Sequence, residues 1–337
     1  MKLLVAALLT GLASGARAQE KFKLLLVADQ ASAARAQEYK DYMLRTPPFD
    51  SVADQLDVKI QVLSDDELKC GPGRRIVRLL ECDTQRVARE KAGQGAHMAA
   101  VFTSKGSGGS GGQIPIASKD YPLGTMLHEM LHAFGLDDEY SYDPEEVDTY
   151  CSPPSSGPNI AVLAPLGSYV SKAHAMSTHG KDIEWSGDIE APTPVTHEQQ
   201  LGTPPLQQHR EKAGLYEGGN CSMATRALGA RRVYRPYFAS IMKHVSTGSA
   251  GVYPLYQRRI LQGMAGLLGR PLVPRAVVRP QVPPQEDIKQ QQESKADCLE
   301  SSIRVPQTPV ELSYDIDHIF QHFLNPHDPH PGHTHGQ

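Results

Sequence analysis

The most informative stretch of the sequence is TMLHEMLHAFGLDDEY, from Thr125 to Tyr140. Leucine, methionine and phenylalanine recur in it at helical spacing, which predicts an amphipathic helix with one buried face. His128 and His132 are one turn of helix apart, so both imidazoles project from the same face. The pattern therefore predicts a pair of zinc ligands, with Glu129 placed to reach a water molecule on the metal.

The residues after the helix predict a third ligand. Gly135 comes three residues after His132, where glycine can end a helix in a left-handed conformation and turn the chain back. On a continued helix, residue 138 would lie about 9 Å along the axis from His132, too far to share an ion. After the turn, Asp138 can bind the same ion and leave a fourth position for water or substrate. Only register favours Asp138 over Asp137 and Glu139, whose alternative roles are support of the ligands or surface acidity.

Composition and the first residues define the class of protein. The 337 residues include 34 basic and 38 acidic side chains, and 39% are hydrophobic, which excludes a disordered or fibrous chain. The formal net charge of -4 gives no electrostatic basis for binding nucleic acid or an anionic membrane. An apolar run followed by Ala16-Arg17-Ala18 predicts a signal peptide over residues 1–18, with an uncleaved anchor as the alternative. We therefore expect a secreted or periplasmic protein without a membrane span.

The five cysteines predict disulfide bonds rather than metal ligands, because no two of them form a C-x-x-C pair. Spacing suggests the pairs Cys70–Cys82 and Cys151–Cys221 and leaves Cys298 over, although spacing alone does not determine connectivity. The second pair would constrain the unfolded chain more, because it closes the longer loop.

Alternating strand-like and helix-like segments predict an α/β arrangement for the first half of the chain. The predicted strands are residues 22–28, 58–63 and 97–102, and the predicted helices are residues 31–44, 74–80 and 85–91. The glycine-rich run after Lys105 has the composition of a linker. Glycine also permits sharp bends and close approach to a ligand, and we favour this second interpretation. Pro115 predicts that residues 113–117 form an edge strand, to which an extended peptide could add.

The second half of the chain carries fewer periodic segments. Residues 141–208 predict a long loop, residues 253–268 a closing helix, and residues 269–337 a flexible Pro/Gln/His-rich tail. The tail histidines could bind metal loosely, but proline and glycine interrupt their spacing, which favours a disordered tail: His327, His330, His333 and His335. The acidic residues 140–148 leave Ca²⁺ possible, without the spacing of an EF-hand.

The segment HEMLHAFGLDDEY resembles the H-E-x-x-H-x-x-G-x-x-D signature of metzincin-type zinc peptidases. The added Glu139-Tyr140 makes it most similar to the IgA-peptidase-like family of secreted bacterial metallopeptidases. The resemblance covers roughly residues 22–268. The further features that stand in the order expected for that family are the GSGGSGG run, Cys151, Asn159-Ile160, Trp185 with Pro194, YEGGN at Tyr216 to Asn220, Tyr234-Arg235-Pro236 and Ser240-Ile241-Met242.

This resemblance implies a metzincin-like α/β (α+β) fold, in which a twisted mixed sheet and an active-site helix precede a C-terminal subdomain, with a cleft between the two. It implies a catalytic domain over residues 19–268, divided near residue 135, and one catalytic zinc ion. Met242 would be the methionine of the Met-turn, although a core methionine has the same physical character. His244 stands where some metzincins carry a tyrosine that assists the transition state, and a surface histidine is the alternative. Glu139 and Tyr140 are further candidates for assisting the transition state or supporting the ligands.

The implied activity is hydrolysis of peptide bonds in a protein or peptide substrate, with Glu129 as general base. The chain departs from many family members at Leu131, where they carry glycine before the second histidine; this difference should alter packing and leave coordination intact. Two alternatives stay open. The same chemistry could serve another acyl bond, as in a cell-wall amidase or deacylase, or the chain could be a secreted binding protein on the same fold.

Overall fold

The computed structural model describes residues 20–154, 156–165, 172–191, 193, 195–196, 209, 211–243 and 251–275. These residues all belong to one unit, which extends to Val277. The predicted signal peptide, Pro194, His244, Cys298 and the tail histidines lie outside the described residues.

A five-stranded mixed sheet organises the first half of the chain, in the order β2-β1-β5-β7-β6. Its strands are β1 (Phe22–Ala28), β2 (Leu56–Val62), β5 (Met98–Thr103), β6 (Gly109–Ser110) and β7 (Ile116–Ser118). All neighbours pair in parallel except β6, which is antiparallel to β7. The sheet confirms a mixed α/β fold.

The apolar run of β1 is explained by burial on both faces of this sheet. Leu24 and Leu26 face one core cluster, while Leu25 and Val27 face the other. Helices cover both faces, so the strand has no solvent side and needs no polar alternation. The helices of this half are α1 (Ala33–Met43), α2 (Asp65–Leu68), α3 (Thr84–Gly93) and α4 (Leu123–Ala133).

Helix α4 ends as the glycine predicts. Gly135 has φ +84°, in the left-handed region. The N–H of Gly135 donates to the His132 carbonyl, and the N–H of Leu136 donates to the Leu131 carbonyl, which together form a Schellman motif. The chain therefore reverses directly after the second histidine.

A four-stranded sheet, in the order β8-β11-β10-β9, organises the second half. Its strands are β8 (Ala161–Leu163), β9 (Val195–Thr196), β10 (Leu215–Glu217) and β11 (Arg232–Arg235). The helices are α5 (Pro144–Tyr150), α6 (Lys172–His179), α7 (Thr225–Leu228) and α8 (Pro254–Leu268). Tyr256, Ile260 and Met264 of α8 are buried in the core cluster that also holds Leu24 and Leu26, so the predicted closing helix is confirmed.

Three sequence predictions are wrong in part or in full. Residues 74–80 do not form a helix; the loop instead carries the ladder of β3 (Gly71–Pro72) and β4 (Leu80–Glu81). A helix over residues 74–80 would place its first and last residues about 9 Å apart. The Cys70–Cys82 disulfide instead holds the Cα atoms of the flanking cysteines 4.0 Å apart, so the two ends of the loop lie side by side.

The edge-strand prediction is also wrong. β7 lies between β5 and β6, and the edge of the sheet is β6, formed by the glycine run itself. Pro115 precedes β7 and contributes only its carbonyl, which accepts from the N–H of Val101, so its missing N–H costs nothing there.

The predicted long loop over residues 141–208 contains α5, β8, α6 and β9. The overlooked signal at α5 is a capping box between Asp143 and Glu146, with Pro144 in the first turn.

Both predicted disulfides, Cys70–Cys82 and Cys151–Cys221, are present. Disulfides are typical of proteins exported to an oxidising compartment. Within the described residues, every helix is too short or too polar to cross a membrane.

Candidate metal centre

Two carbonyl groups orient the histidines of α4. His128 Nδ1 lies 2.9 Å from the Ile241 carbonyl oxygen, and His132 Nδ1 lies 2.7 Å from the Leu136 carbonyl oxygen. A carbonyl only accepts, so each Nδ1 carries the hydrogen, and in a neutral imidazole each Nε2 is left with a lone pair. The helix end contributes directly to this arrangement, because the Schellman turn presents the Leu136 carbonyl to His132.

Asp138 completes a triangle with these two lone pairs. Its Oδ1 lies 3.0 Å from His128 Nε2 and 3.3 Å from His132 Nε2, and the two Nε2 atoms are 3.3 Å apart. Asp138 Oδ1 is buried and has no hydrogen-bond partner among the described residues. Tyr142 donates to the other oxygen, Oδ2, at 3.0 Å and so fixes the carboxylate.

This triangle fits a zinc ion. Zinc–nitrogen and zinc–oxygen bonds of about 2.0–2.1 Å in tetrahedral geometry place neighbouring ligand atoms about 3.3 Å apart. The three measured separations agree with that value, and two imidazoles with one carboxylate are a common donor set for catalytic zinc. Glu129 also lies within the 4.8 Å that encloses the possible donor atoms of His128 and His132. Its Oε2 is 3.9 Å from His132 Nε2, farther than Asp138, and so it stands beside the triangle.

Burial and mutual contact shift the pKa values of all three side chains. Burial alone would lower the pKa of His132, but Asp138 outweighs it and raises the pKa to about 9. Burial alone would also lower the pKa of His128, but the contact with Asp138 acts in the opposite direction, and the pKa of His128 is raised. Burial would raise the pKa of Asp138, but the two imidazoles hold it well below its usual range. A metal ion bound among these atoms would compete with protons for the same lone pairs.

Glu129 is buried beside this triangle, and burial raises its pKa. The edge strand packs directly on it: a Cβ atom added to Gly109 would lie within 2.9 Å of Glu129 Cγ and Cδ. A Cβ on Gly111 would overlap His132 in the same way. The glycine run is therefore part of the site wall and pairs in the sheet, so it is not a linker.

Glu139 has a different position from the one expected of a residue that assists a reaction. Its fully buried carboxylate accepts from Ser240 Oγ at 2.6 Å, from Tyr256 Oη at 2.5 Å and from Asn159 Nδ2 at 2.9 Å. Burial raises its pKa, although these hydrogen bonds act in the opposite direction. Glu139 therefore ties the loop that carries Asp138 to three distant parts of the chain.

Met242 is fully buried in a turn formed by residues 241–243. The main chain of this turn supports the site: the Ile241 carbonyl holds His128, and the Met242 carbonyl accepts from the N–H of Glu139 at 2.9 Å. Tyr140 lies against His128, with ring centroids 6.1 Å apart and planes 23° apart.

Sequence reasoning missed three residues near the centre: Tyr142, Arg78 and the side chain of Asn159. Tyr142 falls in the predicted loop and Arg78 in the wrongly predicted helix, so neither had a local signal. Asn159 stood only within the Asn159-Ile160 pair of the family resemblance. Its side chain holds the backbone of Asp137 with two hydrogen bonds of 2.8 Å.

The centre opens into a cavity of about 410 Å³. The cavity is lined by the edge-strand glycines, the ligand loop and a row of tyrosines: Leu79, Ser110, Gly111, Gly112, His132, Gly135, Leu136, Asp137, Asp138, Tyr140, Tyr142, Glu146 and Tyr150.

Comparisons of the chain with protein-family models, curated proteins and solved structures found no match.

Proposed function

We propose that the protein is a secreted zinc-dependent endopeptidase, with His128, His132 and Asp138 as the zinc ligands. The observation that carries the proposal is the triangle of two imidazole nitrogens and one buried, unpartnered carboxylate oxygen, 3.0–3.3 Å apart. A buried carboxylate that faces two lone pairs is costly without a cation. Glu129, next to the triangle, supplies a second carboxylate for proton transfer.

The chemistry divides between the ion and the chain. Zinc bound at this triangle would lower the pKa of a water ligand toward neutrality and polarise a carbonyl oxygen. Glu129 takes a proton from the attacking water on its carboxylate and gives it to the departing amine. Burial raises its pKa, which suits a group that must both accept and release a proton near neutral pH. The absence of a side chain at Gly109 leaves room for the Glu129 carboxylate against the edge strand.

The open edge of the sheet favours a peptide as substrate. β6 is an edge strand that runs past Glu129 and His132, and an extended chain can add to such an edge through main-chain hydrogen bonds. This favours peptide hydrolysis over an amidase or deacylase reaction. The resemblance to metzincins and to the IgA-peptidase-like family supports the same conclusion. Under this proposal, the buried turn at Met242 is the Met-turn.

The test measures zinc content and cleavage on the same samples. Purified protein should contain one zinc ion, cleave a denatured protein and a quenched-fluorescence peptide library, and lose both properties with a chelator. E129Q should keep zinc and lose cleavage at least about 100-fold, as expected for loss of a general base. D138N should lose zinc, while the matched neighbour D137N should keep it.

Each alternative has its own outcome. E129Q protein that keeps full cleavage would remove the general-base assignment, and D138N protein with unchanged zinc would remove the third ligand. Turnover of N-acetylated glycans or cell-wall amides without peptide cleavage would favour the other hydrolase classes. Zinc binding without any turnover would favour the binding protein.

A further inference from the structure

Tyr140 occupies a wall of the candidate metal centre. It comes two residues after Asp138, its ring stacks on the His128 imidazole, and it lines the 410 Å³ cavity together with His132. A phenol at this position can meet a substrate that enters the cavity.

The hydrogen atoms around this phenol can be assigned. Arg78 Nη2 lies 3.4 Å from Tyr140 Oη, and the guanidinium carbon lies 5.9 Å from the centroid of the ring. Arginine only donates, so the phenol oxygen accepts the hydrogen of Arg78. The hydrogen of Tyr140 itself has no acceptor in the part of the chain that the structure describes, and it is free to be donated within the cavity.

Arg78 is held in place from the other direction. Its guanidinium forms an ion pair with the buried carboxylate of Glu146 and lies 3.9 Å from Asp143 Oδ2. It stands in the loop that the Cys70–Cys82 disulfide closes. Tyr140 is therefore oriented before any substrate arrives, which is the condition for effective electrostatic catalysis.

The neighbouring Tyr142 provides a contrast within the same loop. Its hydroxyl donates to Asp138 Oδ2, so its hydrogen is already used to hold the ligand. Of the two tyrosines, only Tyr140 keeps a donor for the substrate.

We propose that Tyr140 is a catalytic residue, which donates its O–H to the carbonyl oxygen of the scissile bond as negative charge develops there, and that Arg78 is its positioning residue. This inference rests on the proposed endopeptidase function. No proton leaves the phenol; the hydrogen bond strengthens as the carbonyl oxygen gains charge, and the adjacent guanidinium polarises the O–H further. Removing one such donor from an enzyme typically lowers kcat by about 10²–10³-fold.

The test compares Y140F, Y142F and R78K in the full-length zinc-loaded protein, with Y121F, at an exposed tyrosine that does not line the cavity, as a matched control. Y140F should lower kcat about 100-fold with KM within threefold and zinc content unchanged. R78K should lower kcat less, by about 5–20-fold, because lysine keeps the charge and loses the fixed fork geometry. Y142F should weaken zinc binding and recover most of its kcat when zinc is saturating. Y121F should match the wild type.

A second measurement uses a phosphinic peptide, which mimics the charged intermediate, and the product peptide. Y140F should weaken binding of the phosphinic peptide at least tenfold more than binding of the product. The inference is overturned if the wild type cleaves peptides and Y140F keeps kcat within twofold. It is also overturned if added zinc reverses the loss in Y140F, since Tyr140 would then support the metal. If the wild type shows no zinc-dependent cleavage, the proposed function fails as well.

Discussion

Replacing Glu139 should test how the fold supports the ligand loop of the candidate metal centre, without changing a proposed ligand or the proposed general base. The carboxylate accepts hydrogen bonds from Ser240, Tyr256 and Asn159, which lie 101, 117 and 20 residues away in the chain. These partners belong to the turn of Met242, helix α8 and the segment before β8. A change at Glu139 therefore reaches three segments that support the ligand loop, without changing a ligand.

The expected cost follows from the groups left behind. In E139A, the hydroxyls of Ser240 and Tyr256 lose a charged acceptor inside the core, and the side chain leaves a void. A buried donor without a partner costs about 1–3 kcal/mol, so two donors and the void give a loss of about 3–5 kcal/mol. Asn159 loses less, because its Nδ2 also donates to the Asp137 carbonyl. Against a typical stability of about 5–15 kcal/mol, this loss is large.

The conservative variant E139Q should cost less, about 1–2 kcal/mol. Its amide keeps the volume and one acceptor oxygen, which can still accept from Tyr256, and the Ser240 hydroxyl can rotate to accept from the new N–H₂. The exposed Glu145 provides a matched control: E145A should change the free energy of unfolding by about 0.5 kcal/mol or less.

Urea unfolding with tryptophan fluorescence measures these differences, because Trp185 is the one tryptophan of the chain and is fully buried. The measurement belongs in chelator, so that lost zinc does not contribute to lost stability. Zinc affinity should fall about 10–100-fold in E139A, as when groups that orient metal ligands are removed. If E139A unfolds within 1 kcal/mol of the wild type, or if E139Q is the less stable of the two, the carboxylate does not hold these elements together.

Three further predictions use the same protein. Burial lowers the pKa of His97 below its usual value of 6.5. The neutral imidazole therefore contributes stability above pH 6.5, and this contribution is lost as the pH falls through the lowered pKa. Between pH 8 and pH 5, the stability of H97N should fall less than that of the wild type. G109A should displace Glu129 and lower kcat at least tenfold with zinc retained, whereas G93A, with open space around it, should leave kcat unchanged. Free zinc at 100 times its Kd should raise the free energy of unfolding by about 2.7 kcal/mol over that in chelator, and a D138N protein with the same increase would contradict its role as a ligand.

The parts of the fold that the sequence predicts are those with a local cause. The α4 helix, its end at Gly135 and the buried strand β1 each depend on periodicity or on a single glycine, so neighbouring residues suffice. The loop of Arg78 has apolar spacing that suits a helix, but the Cys70–Cys82 disulfide, itself suggested by spacing, draws the ends of the loop together, and they form a ladder instead. Pro115 suggested an edge because local rules cannot show that the glycine run returns to pair outside β7.

The same distinction between local and distant causes applies to the candidate site. His128, Glu129, His132 and Asp138 could be named because helix geometry and one turn place them together. The contacts of Ser240 and Tyr256 with Glu139, and that of the Ile241 carbonyl with His128, could not be derived locally, since these groups come from chain segments about 100 residues away. Tyr142 is close in sequence to Asp138 but lies outside any helix, so no periodic rule predicts its hydrogen bond to the ligand.

The three candidate ligands are held by three independent anchors, and this determines how metal and fold are coupled. The Ile241 carbonyl orients His128, the Leu136 carbonyl orients His132, and the Tyr142 hydroxyl orients Asp138. Each anchor is a hydrogen bond within the chain, so it restricts its ligand independently of the metal, and less ordering would oppose metal binding. The same anchors hold three acceptor atoms together inside the fold, which destabilises the metal-free protein unless protons enter the triangle. Weakening one anchor should lower the affinity for zinc, because the ligand atoms would then have to be ordered when the metal binds.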